Sequence, residues 1–187
     1  MVLTESQKKL QIDDKAPAFE LVGVDDKIYA LDDFVGSKAM LIVFMCNHCP
    51  YVKSKLNSIL KLHDQFKSKG VAVVGINSND PDYHDEGFEN MKKFAMERGI
   101  KFPYLFDETQ DVAKAYGATC TPDSFLFDKD VKLVFHGRID NALTLDQTPT
   151  EFTMANNITK ILNGQKIDKT FESSMGCSIK WKGIEIE

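Results

Sequence analysis

Apolar residues along this chain fall into two patterns, unbroken runs and runs spaced three or four apart, and each predicts a different element. Ala39-Met40-Leu41-Ile42-Val43-Phe44-Met45 is unbroken and reads as a central strand buried on both faces. Val71-Ala72-Val73-Val74-Gly75-Ile76-Asn77 reads the same way. Between them Val52, Leu56, Ile59, Leu60 and Phe66 recur at helical spacing with Gly70 as a stop signal, predicting an amphipathic helix over about 50–69. Strand, helix, strand in that order implies a parallel pair. Ahead of this unit, residues 18–30 hold two short β-prone runs around Asp25-Asp26, a hairpin.

The polar, turn-rich stretch 78–90 and the apolar Met91, Phe94 and Ala95 after it predict a loop and an inserted helix ending at Gly99. Residues 102–106 form a short strand, and Asp107 to Tyr116 a helix closed by Gly117. The runs 124–127 and 132–136, separated by the charged turn Asp128-Lys129-Asp130, make an antiparallel hairpin. Thr148-Pro149-Thr150-Glu151 combines a capping box with Pro at the first helical position, and Phe152, Ala155, Ile158 and Leu162 supply the apolar face of a helix ending at Gly164. The remainder, 165–187, carries Cys177 and the only tryptophan, Trp181.

With 187 residues, 43% of them hydrophobic, the chain suits one domain with a substantial core. A net charge of -5 leaves no basic stripe for a phosphate backbone, so nucleic acid is excluded as a partner. The first residues lack the apolar run of a signal peptide and no stretch approaches about 20 apolar residues, so the expected setting is the cytoplasm, with no membrane partner. There, thiols are held reduced and permanent structural disulfides are rare. For Cys46, Cys49, Cys120 and Cys177 this leaves redox catalysis or metal binding.

Cys46-Asn47-His48-Cys49-Pro50 joins the predicted central strand to the predicted helix, which sets two sulfurs within bonding reach at a helix N-terminus. A zinc knuckle completed by Cys120 and Cys177 is the bland reading; structural zinc usually takes paired short-spaced motifs, and only one pair here is short. The expectation is therefore a dithiol without metal or other cofactor.

The element order and the Cys-X-X-Cys together resemble the thioredoxin superfamily, with Thr121-Pro122 ahead of the strand at 124–127 as a second anchor. Cys-Asn-His-Cys-Pro-Tyr-Val-Lys (46–53), Gly-Ile-Asn-Ser-Asn-Asp (75–80), Cys-Thr-Pro-Asp (120–123), His-Gly-Arg-Ile-Asp (136–140) and Gly-Cys-Ser-Ile-Lys-Trp (176–181) are similar to a peroxiredoxin-like branch related to the alkyl hydroperoxide reductase and thiol-specific antioxidant group. The resemblance implies an α/β, thioredoxin-like fold: a mixed central sheet flanked by helices, with an N-terminal β-hairpin, an inserted helix and a C-terminal tail. It implies one domain over 1–187, with its core at about 16–164 and an extension at 165–187.

The resemblance further implies a thiol-disulfide oxidoreductase. Cys46, placed before or at the first helical turn, is expected to be the attacking thiolate, favoured by unpaired N–H groups and a partial positive charge of about half a unit. Cys49 then resolves the mixed disulfide, and Pro50 fits a first turn whose donors lack helical partners. His48 matches Cys-X-His-Cys sites of oxidising enzymes and is expected to stabilise the Cys46 thiolate, raising the potential above the thioredoxin value of about -270 mV. Thr121 and Pro122 correspond to the residues of a cis-proline platform for a peptide substrate, although most X-Pro bonds are trans. Cys120 reads either as a third redox thiol or as a small buried hydrophobe. Cys177 reads as a partner thiol if the tail folds over the site, and otherwise as a packed residue near Trp181. Ser78, Asn79 and Asp80 either shape a substrate groove or cap the inserted helix; His63, His84 and His136 are given no catalytic role.

Two other activities compete. A peroxidatic cysteine needs Thr or Ser three residues before it and Pro seven before; ahead of Cys49 those positions hold Cys46 and Ile42, and ahead of Cys46 they hold Val43 and Ala39. No motif assigns Arg138 to the peroxiredoxin arginine. A redox sensor that changes shape once, without turnover, is the third reading. Expected partners are protein or small-molecule disulfides and thiols, with a reductant or oxidant whose identity the sequence does not specify.

Overall fold

A computed structural model describes residues 3–183. Its elements run β1 (Leu3–Glu5), β2 (Glu20–Gly23), β3 (Ile28–Ala30), β4 (Ala39–Phe44), α1 (Pro50–Phe66), β5 (Val71–Asn77), α2 (Phe88–Arg98), β6 (Tyr104–Phe106), α3 (Asp111–Tyr116), β7 (Cys120–Thr121), β8 (Asp123–Asp128), β9 (Leu133–Gly137), α4 (Thr153–Leu162), β10 (Phe171–Glu172) and β11 (Met175–Ser178). Short 3-10 turns follow β3 and α1. The main sheet has the order β10-β9-β8-β4-β5-β6-β2-β3, and β1, β11 and β7 form a smaller second sheet.

β4 is central because it can bury both faces. All six of its residues are buried, and it pairs parallel with β5 and antiparallel with β8. Leu41 and Val43 point into the layer made by α1, α2 and α4, where they meet Val52, Leu56, Ile59, Phe94 and Ile158. Met40, Ile42 and Phe44 point the opposite way, onto Phe125, Phe127, Val112 and Tyr116 of β8 and α3. Fully burying each large apolar side chain contributes roughly 1.5–3 kcal/mol, so β4 is anchored from both sides. Its C-terminal end is where the chain turns into α1.

The expected βαβ unit, both hairpins and the inserted helix all form, and β4 and β5 are parallel as expected. The sheet is mixed: β5-β6 and β9-β10 are also parallel, whereas β2 joins β3 and β6 antiparallel. The last helix departs from expectation. It begins at Thr153, behind Phe152, so Pro149 lies outside it. The backbone N–H groups of Thr150 and Glu151 donate instead to the Asn141 side chain, at 2.9 and 3.0 Å, which holds 148–151 off the helix. Phe152, expected on the apolar face, is 52% exposed, and Met154 is buried in its stead. α3 is also shorter than expected, because Asp107 binds the N–H groups of Val112 and Ala113 and fixes a turn ahead of it.

The tail is built into the fold. β10 extends the main sheet beside β9, and β11 returns to lie between β1 and β7. Among the described residues no helix is long and apolar enough to cross a membrane.

Candidate active site

The segment 45–49 links β4 to α1 and is buried except at His48, which is partly exposed. Proline opens the helix: Cys49 is the N-cap and Pro50 the first residue, so the missing N–H is one that no helical carbonyl would have accepted. Cys46 lies three residues before that cap. The helix N-terminus therefore lies at Cys49, and Cys46 sits before the first helical turn.

Both sulfurs lie against one residue of the neighbouring loop. Cys46 Sγ is 3.2 Å from Thr121 Oγ1, and Cys49 Sγ is 3.3 Å from the Thr121 carbonyl oxygen. The Thr121-Pro122 peptide is cis. Cys46 and Cys49 are both fully buried.

Charge divides unequally between the cysteines. Burial pushes the Cys46 thiol well up, and its hydrogen bond to Cys49 and the nearby Glu86 charge push the same way, against a smaller opposing effect of the Thr121 hydroxyl. Cys49 moves down, because the thiols of Cys177 and Cys46 both donate to it and outweigh its desolvation. The Cys177 thiol is raised in turn by its bond to Cys49 and by burial. The shifts thus run in opposite directions, down at Cys49 and up at Cys46 and Cys177. Cys120 is buried in β7 and kept neutral by burial, with Asp123 adding to the effect.

Glu86 is the residue that sequence reasoning missed. It is buried, and its carboxylate accepts from Asn47 N (3.1 and 3.3 Å), His48 N (3.3 Å), Asn77 Nδ2 (2.7 Å) and Asn79 Nδ2 (3.3 Å), and it is paired with His48 Nδ1. Burial would raise this carboxyl, but the bonds from His48 and Asn77 hold it below the usual range. His48 therefore spends its Nδ1 on Glu86, and the charge that reaches Cys46 is the carboxylate's, which disfavours a thiolate there. Nothing local marks Glu86 in a loop already rich in Asp and Glu; only its partners from β5 and the 46–49 turn single it out.

Ser78, Asn79 and Asp80 hold the rim of the site. Ser78 donates to Asp107 (2.7 Å), Asn79 Oδ1 accepts the Lys180 N–H (2.9 Å), and the Asp80 N–H donates to the Lys180 carbonyl (2.8 Å). His136 is buried, lies 2.9 Å from Asp123 Oδ1 and stacks on Phe125. Arg138 pairs with Glu172 (2.9 Å), which ties it to β10. The group of described residues whose ligand atoms gather closely enough for a metal ion is Cys46, His48 and Glu86, within 4.8 Å of one another. Cys120 and Cys177 do not join it, so the four-cysteine zinc arrangement is not formed among the described residues.

β11 covers this site. It pairs antiparallel with β7, Cys177 opposite Thr121 and Ser178 opposite Cys120, and the Cys177 and Cys49 sulfurs are 2.6 Å apart.

Residues 12–136 match the family model described as the AhpC/TSA family. A thiol-disulfide oxidoreductase ResA of Bacillus anthracis is 30% identical over 128 residues, 68% of this chain and 70% of that protein. Among solved structures, a conserved protein of Geobacillus kaustophilus is 40% identical with a TM-score of 0.93, covering 99% of both chains. A protein of Sinorhizobium meliloti is 35% identical with a TM-score of 0.91, covering 96% of this chain and 99% of that one. A thiol:disulfide interchange protein DsbE of Chlorobium tepidum, at 23% identity and a TM-score of 0.69, covers 82% of this chain and 99% of that one and shares the fold.

Proposed function

This chain belongs to the AhpC/TSA family, on the peroxiredoxin-like branch of the thioredoxin superfamily, and we propose that it is a thiol-disulfide oxidoreductase whose redox pair is Cys46 and Cys49. The observation that carries this reading is the convergence of both sulfurs on Thr121, the residue ahead of cis Pro122. In place of the expected order we propose Cys49, whose pKa the neighbouring thiols lower, as the sulfur that attacks a substrate disulfide; a mixed disulfide forms at Cys49 and one substrate thiolate leaves. Cys46 loses its proton, attacks the Cys49 sulfur and releases the second thiolate, leaving Cys46–Cys49 oxidised. Running backwards, the same steps oxidise a dithiol. Thr121 and Pro122 form the substrate platform, and the substrates are protein or small-molecule disulfides and thiols. The proposed setting is the cytoplasm.

A turnover assay with insulin and dithiothreitol tests the activity, and trapping tests the roles. The Cys46→Ser/Cys177→Ser variant is expected to accumulate mixed disulfides at Cys49, while Cys49→Ser turns over at background and traps nothing. Trapping by Cys49→Ser alone would instead make Cys46 the attacking sulfur.

A further inference from the structure

The substrate platform is already taken by this chain's own β11. Its antiparallel pairing with β7 is the hydrogen-bonding mode by which an extended peptide adds to an exposed edge. The residue it sets opposite Thr121 is a cysteine, and that cysteine's sulfur rests on Cys49 at 2.6 Å. The fit is close: a Cβ on Gly176 would lie 2.0 Å from the Thr121 carbonyl oxygen, so only glycine lets β11 approach this far. β1 pairs with β11 on its other side, the Ser6 N–H donates to the Ser174 carbonyl at 3.0 Å, and the Gln110 side chain donates to the Lys180 carbonyl at 2.7 Å. β11 is thus held at both ends over the dithiol.

We propose that Cys177 is a third redox cysteine of this site, which exchanges into the oxidised pair to form a Cys49–Cys177 disulfide and makes β11 an internal substrate. The proposal rests on the oxidoreductase reading above, which supplies the Cys46–Cys49 disulfide. Cys177 gives up its proton and attacks the Cys49 sulfur; the Cys49–Cys177 bond forms as the Cys46–Cys49 bond breaks. Cys46 leaves with the bonding electron pair and takes up the proton. The exchange is an isomerisation that consumes neither oxidant nor reductant. It pins β11 over the platform, so the oxidised protein divides between a closed form and one whose strand is released for an external thiol.

Disulfide mapping of the full chain tests this. The reduced protein is oxidised with diamide, quenched with acid, blocked with N-ethylmaleimide and digested with trypsin without reduction. Cys46 and Cys49 then share the peptide 39–53, and Cys177 lies in 170–180. The expected product is the two peptides joined by a disulfide, with one maleimide on 39–53. The joined pair disappears in Cys177→Ser and falls at least about tenfold in Gly176→Ala, where β11 is lifted. Wild-type protein that yields only 39–53 closed on itself, with Cys177 blocked by maleimide, would overturn the proposal and leave the Cys46–Cys49 reading standing. Absence of both disulfides would remove the two together.

Discussion

At the scale of single residues the site is a distribution of protons. With the Cys49 pKa lowered by the thiols of Cys177 and Cys46, the 240 nm thiolate absorbance of the reduced protein is expected to persist below the ordinary cysteine range of about 8.5. Cys177→Ala, which removes the first donor, should move the titration midpoint up; a midpoint unchanged from wild type would show that Cys177 donates nothing. Glu86 titrates with the opposite visibility, since its effect appears in stability. Its folded pKa lies below its unfolded value of about 4.5, so its contribution is complete above that pH and is lost as pH falls through the folded value. Glu86→Gln should cost about 1–3 kcal/mol at pH 7 and flatten the loss of urea stability as pH falls below the unfolded value of about 4.5. The two motif cysteines, Thr121 and Pro122 were legible because their chemistry lies in adjacent residues. Glu86 and the His136–Asp123 pair were not, since a buried charge is recognised by partners that the fold brings from distant positions.

Among elements, legibility followed length and repetition. β4, β5 and α1 are long enough for a hydrophobic pattern to repeat, and their bounds came close. β1, β7, β10 and β11 have two to four residues, too few for any period, and exist because a neighbouring edge supplies their hydrogen bonds. The false start of α4 has a similar origin: residues 148–151 carry a capping signature, but Asn141 satisfies the same donors. Asn141→Ala, which removes three hydrogen bonds, should cost about 1–3 kcal/mol in urea unfolding, with α4 content unchanged by circular dichroism. In β11, Gly176→Ala is expected to cost about 1–3 kcal/mol through overpacking while raising the rate of Cys49 alkylation at least about tenfold, a pairing of effects that mere local destabilisation elsewhere would not give.

For the molecule as a whole, the motif spacing and the site geometry differ from those of a peroxidatic cysteine. Neither motif cysteine has the Thr and Pro spacing, both are buried, and Arg138 is engaged with Glu172. Stopped-flow mixing of the reduced protein with hydrogen peroxide should therefore show slow consumption beside its disulfide turnover, and rapid consumption would restore the peroxidase reading. The three-stranded sheet also has a consequence for biosynthesis. Leu3 pairs with Cys177, so a contact between nearly the first and nearly the last described residues completes the active site. Such a contact forms late, because the whole intervening chain must be emitted and closed into a loop first. During synthesis most of the main sheet can assemble before β11 emerges, so the strand that covers Cys46 and Cys49 is among the last to be placed.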